Sequence, residues 1–243
     1  MNERAVSEAI GFVLILGIVI SGIGLVTLYG YPVLLKEQSN TDVKNMERAM
    51  IVIQNDMKSL CFKNVPYKET SLQVSGGTLE VIGATDGATP KFNISADGFG
   101  PVEFSPGALV YRSDRGTEVI TLENGAVMTR QEGSTGSAML AEPRWFYDGP
   151  TGTFVIYIMN ITTDDLMAKS GMATVRMKLE ETNVYTPPGD AGDVTVTYTG
   201  DGDNDLSVAW DNYLTGIGLD GTHTLPGVKK LVIKEYKIKI YDI

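Results

Sequence analysis

Cysteine and histidine are nearly absent from this 243-residue chain, which has one of each. A single cysteine, Cys61, cannot form an internal disulfide, so no disulfide framework holds the fold. Its place near the end of a predicted helix favours a small buried hydrophobe. A zinc centre needs several His or Cys ligands and is therefore excluded. His223 follows an Asp-Gly-Thr stretch that is typical of a turn, where a surface position is expected.

Catalytic and nucleotide-binding motifs are also lacking. The sequence contains no Gly-x-Ser-x-Gly elbow, no P-loop and no dinucleotide fingerprint. Acidic residues outnumber Lys and Arg by 30 to 20, giving a net charge of −10. That balance argues against nucleic acid as a partner, because phosphate binding requires a basic surface. We expect a non-enzymatic protein without a resident cofactor, and an acidic surface suits one that stays soluble outside the cell.

One uncharged apolar run, Ala9 to Leu35, dominates the N-terminal region. As a helix it would extend about 40 Å, and roughly 20 residues suffice to span a bilayer core. The run is longer than the apolar part of a cleavable secretory signal, and no small-residue cleavage site follows it. We therefore expect a membrane helix, kinked or interrupted near Pro32, with the short polar start inside the cell and the rest outside.

Small residues recur along this run. Gly17, Ser21 and Gly24 have a spacing that lets membrane helices approach closely, and Gly11 is a further small residue. The pattern favours association with other helices, although glycine is also simply frequent in membrane helices. Glu8 lies just before the run, and a carboxylate entering the bilayer costs about 2–3 kcal/mol. It is expected either to stay at the interface or to meet a charge on a neighbouring subunit.

The segment Arg4–Leu14, RAVSEAIGFVL, resembles the N-termini of archaeal type IV pilin-like proteins. Those proteins show Arg or Lys, a small residue, Val-Ser, two variable positions, Ile-Gly and a long aliphatic run. The resemblance implies that residues 1–4 are a class III signal peptide, which a prepilin-type peptidase removes between Arg4 and Ala5. It also implies that residues 5–35 form the transmembrane and assembly helix of the mature subunit.

Two features of this resemblance leave alternatives. After cleavage Glu8 would be the fourth mature residue, whereas the glutamate of the family is the fifth and pairs with an N-terminal amine. The chain could also remain uncleaved, as a simple signal anchor.

An amphipathic helix is predicted over residues 36–64, ending at Asn64-Val65-Pro66. Its apolar residues recur at spacings of three and four, as in a heptad seam. The seam consists of Val43, Met46, Met50, Ile53, Met57 and Leu60. It could form a coiled coil with other copies, but its three methionines favour packing against a sheet of its own domain.

Residues 65–243 predict a β-rich, sandwich-like head, because short apolar runs alternate with Gly, Asp, Pro and Asn. The predicted strands are Ser71–Val74, Thr78–Ile82, Lys91–Ile94, Ala108–Ser113, Glu118–Glu123, Ala126–Thr129, Phe154–Asn160, Ala173–Leu179, Val194–Tyr198, Ser207–Asp211 and Val228–Ile240. Turns are predicted at Ser75–Gly77 and, as a hairpin, at Glu123–Gly125. The expected fold class is α+β, with a long N-terminal hydrophobic and amphipathic helix followed by an all-β head, a pilin-like arrangement.

Two kinds of modification or ligand site are suggested in the head. Asn93 and Asn160 begin Asn-x-Ser/Thr sequons, which accept glycans in exported proteins. Asp201, Asp203 and Asp205 alternate like the start of a calcium loop. The glycine that such a loop needs at its sixth position is missing, so a solvated acidic hairpin is expected, with structural calcium in another geometry as the alternative.

These features predict a pilin-like structural subunit, or a minor pilin, of an archaeal cell-surface filament. Its partners would be the membrane, other copies or related subunits, and the prepilin-type peptidase. One alternative is a permanently anchored extracellular β-sandwich that binds or adheres without polymerising. Another is an anchored hydrolase whose chemistry depends on carboxylates alone.

Overall fold

The structure is a computed structural model that describes residues 3–63, 65–84, 91–200 and 202–243. For residues 3–9, 91 and 203 it describes the backbone alone. The chain divides into two units, residues 1–41 and residues 42–243, and we call the second the head unit.

Helical backbone continues from Glu3 to Lys63 as α1 (Glu3–Leu25), a π turn (Val26–Gly30) and α2 (Tyr31–Lys63). The predicted interruption near Pro32 therefore takes the form of a π turn just before the proline. The Tyr31 N–H donates to the Val26 carbonyl, five residues back. A proline has no N–H and crowds the carbonyl four residues before it, and a wider turn relieves both problems.

The described residues of the head unit form two sheets and one further helix. The strands are β1 (Tyr67–Ile82), β2 (Lys91–Ala96), β3 (Phe99–Phe104), β4 (Ala108–Ser113), β5 (Glu118–Glu123), β6 (Ala126–Gln131), β7 (Ser137–Ala141), β8 (Phe146–Asp148), β9 (Thr153–Thr162), β10 (Met167–Tyr185), β11 (Gly192–Thr199), β12 (Thr224–Val228) and β13 (Lys230–Asp242). A 3₁₀ turn (Gly202–Asn204) and α3 (Ser207–Gly216) separate β11 from β12.

The main sheet has nine strands within the described residues, in the order β7-β6-β5-β4-β1-β10-β13-β9-β8. All its neighbours are antiparallel except β13 and β9, which run parallel. The small sheet has the order β12-β11-β2-β3 in the same part of the chain. The predicted α+β class with a two-sheet, sandwich-like head is confirmed.

Alternation along the strands sorts the core into two layers. In β13, Ile238 and Ile240 pack with the α2 seam, whereas Leu231 and Ile233 pack with the small sheet and α3. Successive side chains of a strand point to opposite faces. Ile238 and Ile240 have even numbers and Leu231 and Ile233 have odd numbers, so the two pairs lie on opposite faces of the main sheet. The main sheet is therefore covered by α2 on one face and by the small sheet with α3 on the other.

The heptad seam packs against the main sheet, which confirms the interpretation favoured from the sequence over the coiled coil. All six seam residues are at most 8 % exposed, and Met46 to Leu60 are fully enclosed. The compact head unit accordingly begins at Asp42, because this part of α2 lies in its core. A coiled coil through the same face is excluded, because the sheet already occupies it.

The segment Ser207–Asp211 was expected as a strand, and that prediction is wrong. It forms the first half of α3, in which Ala209, Trp210, Tyr213 and Leu214 are buried at helical spacing. Three consecutive apolar residues between two polar ones are too short a run to distinguish the two periods. The Asp205 carboxylate accepts the N–H of Ser207 at 2.9 Å and so satisfies a free donor in the first turn of the helix.

A turn was also expected at Ser75–Gly77, but β1 runs straight through it. The pairing of β1 with β10 shifts between Val74 and Leu79, so the two glycines form a bulge instead. Gly76 has φ +61°, and a Cβ on Gly77 would lie 2.2 Å from the Arg112 carbonyl. Four further strands, β3, β7, β8 and β12, were not predicted.

Candidate functional site

The first candidate site is the apolar surface of α1 and the start of α2. From Ile10 to Leu34, the large hydrophobic side chains are 44–72 % exposed. Soluble monomers rarely expose apolar patches larger than a few hundred Å². In the described residues one helix is long and apolar enough to cross a membrane. This surface is therefore compatible with a single-pass membrane anchor.

The small residues of α1 are not needed for packing within the chain. A Cβ placed on Gly11, Gly17 or Gly24 would meet no heavy atom within 4 Å, and Ser21 is exposed. Glycine inside a helix in water costs roughly 1 kcal/mol relative to alanine, and no contact within the described chain accounts for these glycines. At about 100° per residue, Gly17, Ser21 and Gly24 lie on one face, while Gly11 lies about 120° away from Gly17.

The predicted processing residues lie within the backbone of α1. Arg4 and Ala5 are in its first turn, and Glu8 follows in the second. Their side chains lie outside the described part of the structure, so the cleavage position and the partner of Glu8 stay predictions.

Polar side chains fix α2 to the main sheet. Gln54 is 2 % exposed, and its Nε2 donates to the Gly125 carbonyl at 2.7 Å and the Glu142 carbonyl at 3.1 Å. The predicted Asn124-Gly125 hairpin is confirmed: both residues have positive φ, and Asn124 Oδ1 accepts the Met159 N–H at 2.8 Å. The helix and the hairpin therefore hold each other in one register.

The two sequons lie in different surroundings. Asn93 is half-buried in β2. Asn160 is 7 % exposed in β9, and its Nδ2 donates to Glu235 Oε1. Glu235 Oε2 also accepts from Asn183 and from the Tyr185 hydroxyl. The folded head therefore offers Asn93 to solvent, but not the amide of Asn160.

The acidic triplet does not form a cation site in the described residues. Asp201 lies outside them, and only the backbone of Asp203 is described. The carboxylate of Asp205 accepts from Ser207, which lowers its pKa, and the nearby positive charge of Arg130 lowers it further. Across the described chain, no group of three His, Cys, Asp or Glu side chains is placed to hold a metal.

His223 and Cys61 have no arrangement suited to catalysis in the described structure. His223 Nε2 lies 3.6 Å from Asp211 Oδ1, in a turn where His223 has φ +53°. Burial raises the pKa of the Cys61 thiol to about 12, so almost no thiolate forms near neutral pH. Cys61 packs against the α2 side of the core, in agreement with its expected role as a small hydrophobe.

Two polar groups of the head were not anticipated from the sequence. Glu123 is 1 % exposed and accepts the Trp210 Nε1–H at 3.1 Å inside an aromatic cluster. Glu235 collects its three partners from β9 and β10, and β9 reaches it through the parallel pairing with β13. Glu123 begins the predicted hairpin and Glu235 lies in a predicted strand, but neither pattern indicates a buried carboxyl, so only the strand order could have revealed their burial.

An exposed apolar helix joined to a β-rich head defines an arrangement compatible with a single-pass membrane anchor and with a pilin-like fold. The family of unknown function DUF7289 matches residues 4–226. The chain belongs to that family, and the match includes the apolar helix and most of the head. Neither the curated proteins nor the solved structures contain a match to the chain.

Proposed function

We propose that this chain is a non-enzymatic, pilin-like subunit of a cell-surface filament, with its head outside the cell. Before assembly, α1 and the start of α2 would hold the subunit in the membrane. After assembly, the same surface would pack against the helices of other copies. A prepilin-type peptidase would first remove residues 1–4.

The observation that carries this proposal is an apolar helix whose glycines serve no contact of their own chain. Close approach of a second helix is the use that membrane proteins make of such residues. Further along the helical backbone, the α2 seam lies in the core of the head unit. A helix whose following residues belong to the folded head suits a subunit that places heads around a helical core.

N-terminal sequencing of the mature protein tests the processing step. An N-terminus at Ala5 supports it, and loss of that product in a strain lacking the peptidase would identify the enzyme. An intact N-terminus on a protein that never leaves the membrane fraction contradicts the filament function. It would favour a permanently anchored binding protein.

A matched pair of substitutions tests assembly. Gly17→Leu fills the face formed by Gly17, Ser21 and Gly24, whereas Gly22→Leu adds the same side chain about 140° away. Neither glycine contacts its own chain, so both variants should insert and fold. We expect Gly17→Leu to reduce the yield of sheared filaments at least tenfold and Gly22→Leu to change it little. Equal yields from the two variants would show that this face does not mediate assembly.

A further inference from the structure

A cleft of about 550 Å³ opens on the head unit where the end of α2 meets the connection from β7 to β8. Its volume is within the range of small-molecule sites. The lining residues are Asn55, Lys58, Ser59, Phe62, Lys63, Pro143 and Arg144. They come from two elements, so the cleft exists only in the folded head.

Three of the lining residues are cations, in a chain with a net charge of −10. Within the described residues, Lys58, Lys63 and Arg144 form no ion pair. Some other cations of the head do pair with carboxylates, namely Lys68, Arg112, Arg176, Lys178, Lys237 and Lys239. The charge of Lys58, Lys63 and Arg144 is therefore not neutralised by an ion pair within the described chain, and all three line one cleft.

Arg144 lies against two aromatic rings. Its Cζ lies 4.7 Å from the centre of the Phe62 ring and 5.9 Å from that of Tyr157. Contact with an aromatic face does not use up the N–H donors of a guanidinium, which can still donate to an oxyanion. Cations at the C-terminal end of a helix also complement its dipole. The helix dipole therefore accounts for a cation at Lys63, but not for Arg144, which lies in the connection from β7 to β8.

Lys58 adds a second charge close to the first. Its Nζ donates to the Glu142 carbonyl at 2.9 Å. Burial lowers the pKa of Lys58, the like charge of Arg144 lowers it further, and the Glu142 carboxylate partly opposes both. The mutual repulsion of Lys58 and Arg144 would be relieved by an anion placed between them.

We propose that this cleft binds a small ligand bearing one oxyanion group, about the size of a sugar acid. Arg144 would donate two parallel hydrogen bonds to the oxyanion, as guanidinium groups do with carboxylate and phosphate. Lys58 and Lys63 supply flanking charge, and Asn55 offers an amide to a neutral part of the ligand. The site does not depend on filament assembly, so the two proposals fail or succeed separately.

Titration calorimetry on the full chain in neutral detergent at low salt tests this site. The probes are glucuronate, inorganic sulfate, inorganic phosphate and, as the neutral sugar, glucose. We expect saturable binding of at least one oxyanion and no binding of glucose. Arg144→Gln should weaken binding roughly 10- to 100-fold, because a hydrogen bond to a charged group is lost. Arg115→Gln, which removes an exposed charge after β4, is the matched control and should bind like the unmodified chain.

The pattern among the probes identifies the ligand class. Preference for glucuronate points to a carboxylate, and preference for sulfate or phosphate points to a tetrahedral oxyanion; either result supports the proposal. If Arg144→Gln lowers the melting temperature, Lys63→Gln at the exposed helix end serves as a second variant with a weaker effect in the same direction. The absence of saturable binding by every probe would overturn the proposal, as would equal affinities of the Arg144 and Arg115 variants.

Discussion

Glu123 is a carboxyl group enclosed by aromatic side chains between the main sheet and α3. Burial raises its pKa to about 8, although hydrogen bonds from Trp210 and Tyr198 act in the opposite direction. The ordinary value for glutamate is 4.5. Between those two values the unfolded chain has released the proton while the folded chain keeps it. The free energy of unfolding therefore falls as the pH rises through this window.

The size of the effect follows from the pKa difference. Each pH unit within the window lowers the free energy of unfolding by about 1.4 kcal/mol, which amounts to about 2.5 kcal/mol between pH 5 and pH 7. Glu123→Gln keeps an oxygen for the Trp210 Nε1–H and removes the titrating proton. Between pH 5 and pH 7, the free energy of unfolding of the variant should therefore rise by about 2.5 kcal/mol relative to that of the unmodified chain.

Tryptophan fluorescence is the appropriate assay, since both tryptophans of the chain, Trp145 and Trp210, lie in this aromatic cluster. Denaturant unfolding of the full chain in neutral detergent would be followed at pH 5, 6 and 7. The matched control is Glu132→Gln, which changes an exposed carboxyl just after β6. If Glu123→Gln and the unmodified chain show the same dependence on pH, the carboxyl is not retained as the neutral acid and the reasoning is refuted.

Three further predictions concern the core, the thiol and the sequons. Ile53→Ala should lower the free energy of unfolding by about 2–5 kcal/mol, because Ile53 is fully buried. Val52→Ala, at an exposed position one residue away, should lower it by under about 0.5 kcal/mol in the same unfolding assay. Similar losses in the two variants would contradict the packing of the seam. Alkylation of Cys61 followed by intact mass at pH 8 should be roughly a thousandfold slower in the folded than in the denatured chain, since burial removes nearly all thiolate; equal rates would disprove its burial. Peptide mass spectrometry of the native protein should find Asn160 without a glycan, whereas Asn93 is open to modification; a glycan on Asn160 would contradict its hydrogen bond to Glu235.

Features with a long or unambiguous local pattern were predictable. The seam from Val43 to Leu60 repeats over five turns, so its burial could be predicted before any partner was known. The Asn124-Gly125 hairpin depends on two residues that tolerate positive φ, and this is also a local property. Short segments did not have this advantage. Five residues at Ser207–Asp211 fit a strand or a helix equally well, and only the aromatic cluster around Trp210 decides between them.

The candidate sites divide in the same way. The apolar helix and its small residues are visible in the sequence because a membrane or a filament core imposes a composition on consecutive residues. The cleft at Arg144 is not visible, since its two sides are about 80 residues apart in the chain. Glu123 and Glu235 are two of many acidic residues until the strand order buries them.

By itself, the sequence determined an apolar N-terminal helix, an amphipathic continuation and a β-rich head, because each depends on the periodic placement of apolar residues along one segment. Only the tertiary structure decided what those segments contact. It seated the seam on the main sheet, enclosed Asn160 and Glu123, and brought Arg144 to Lys58. Burial and charge proximity depend on residues distant in the chain, and no local pattern encodes which of them meet.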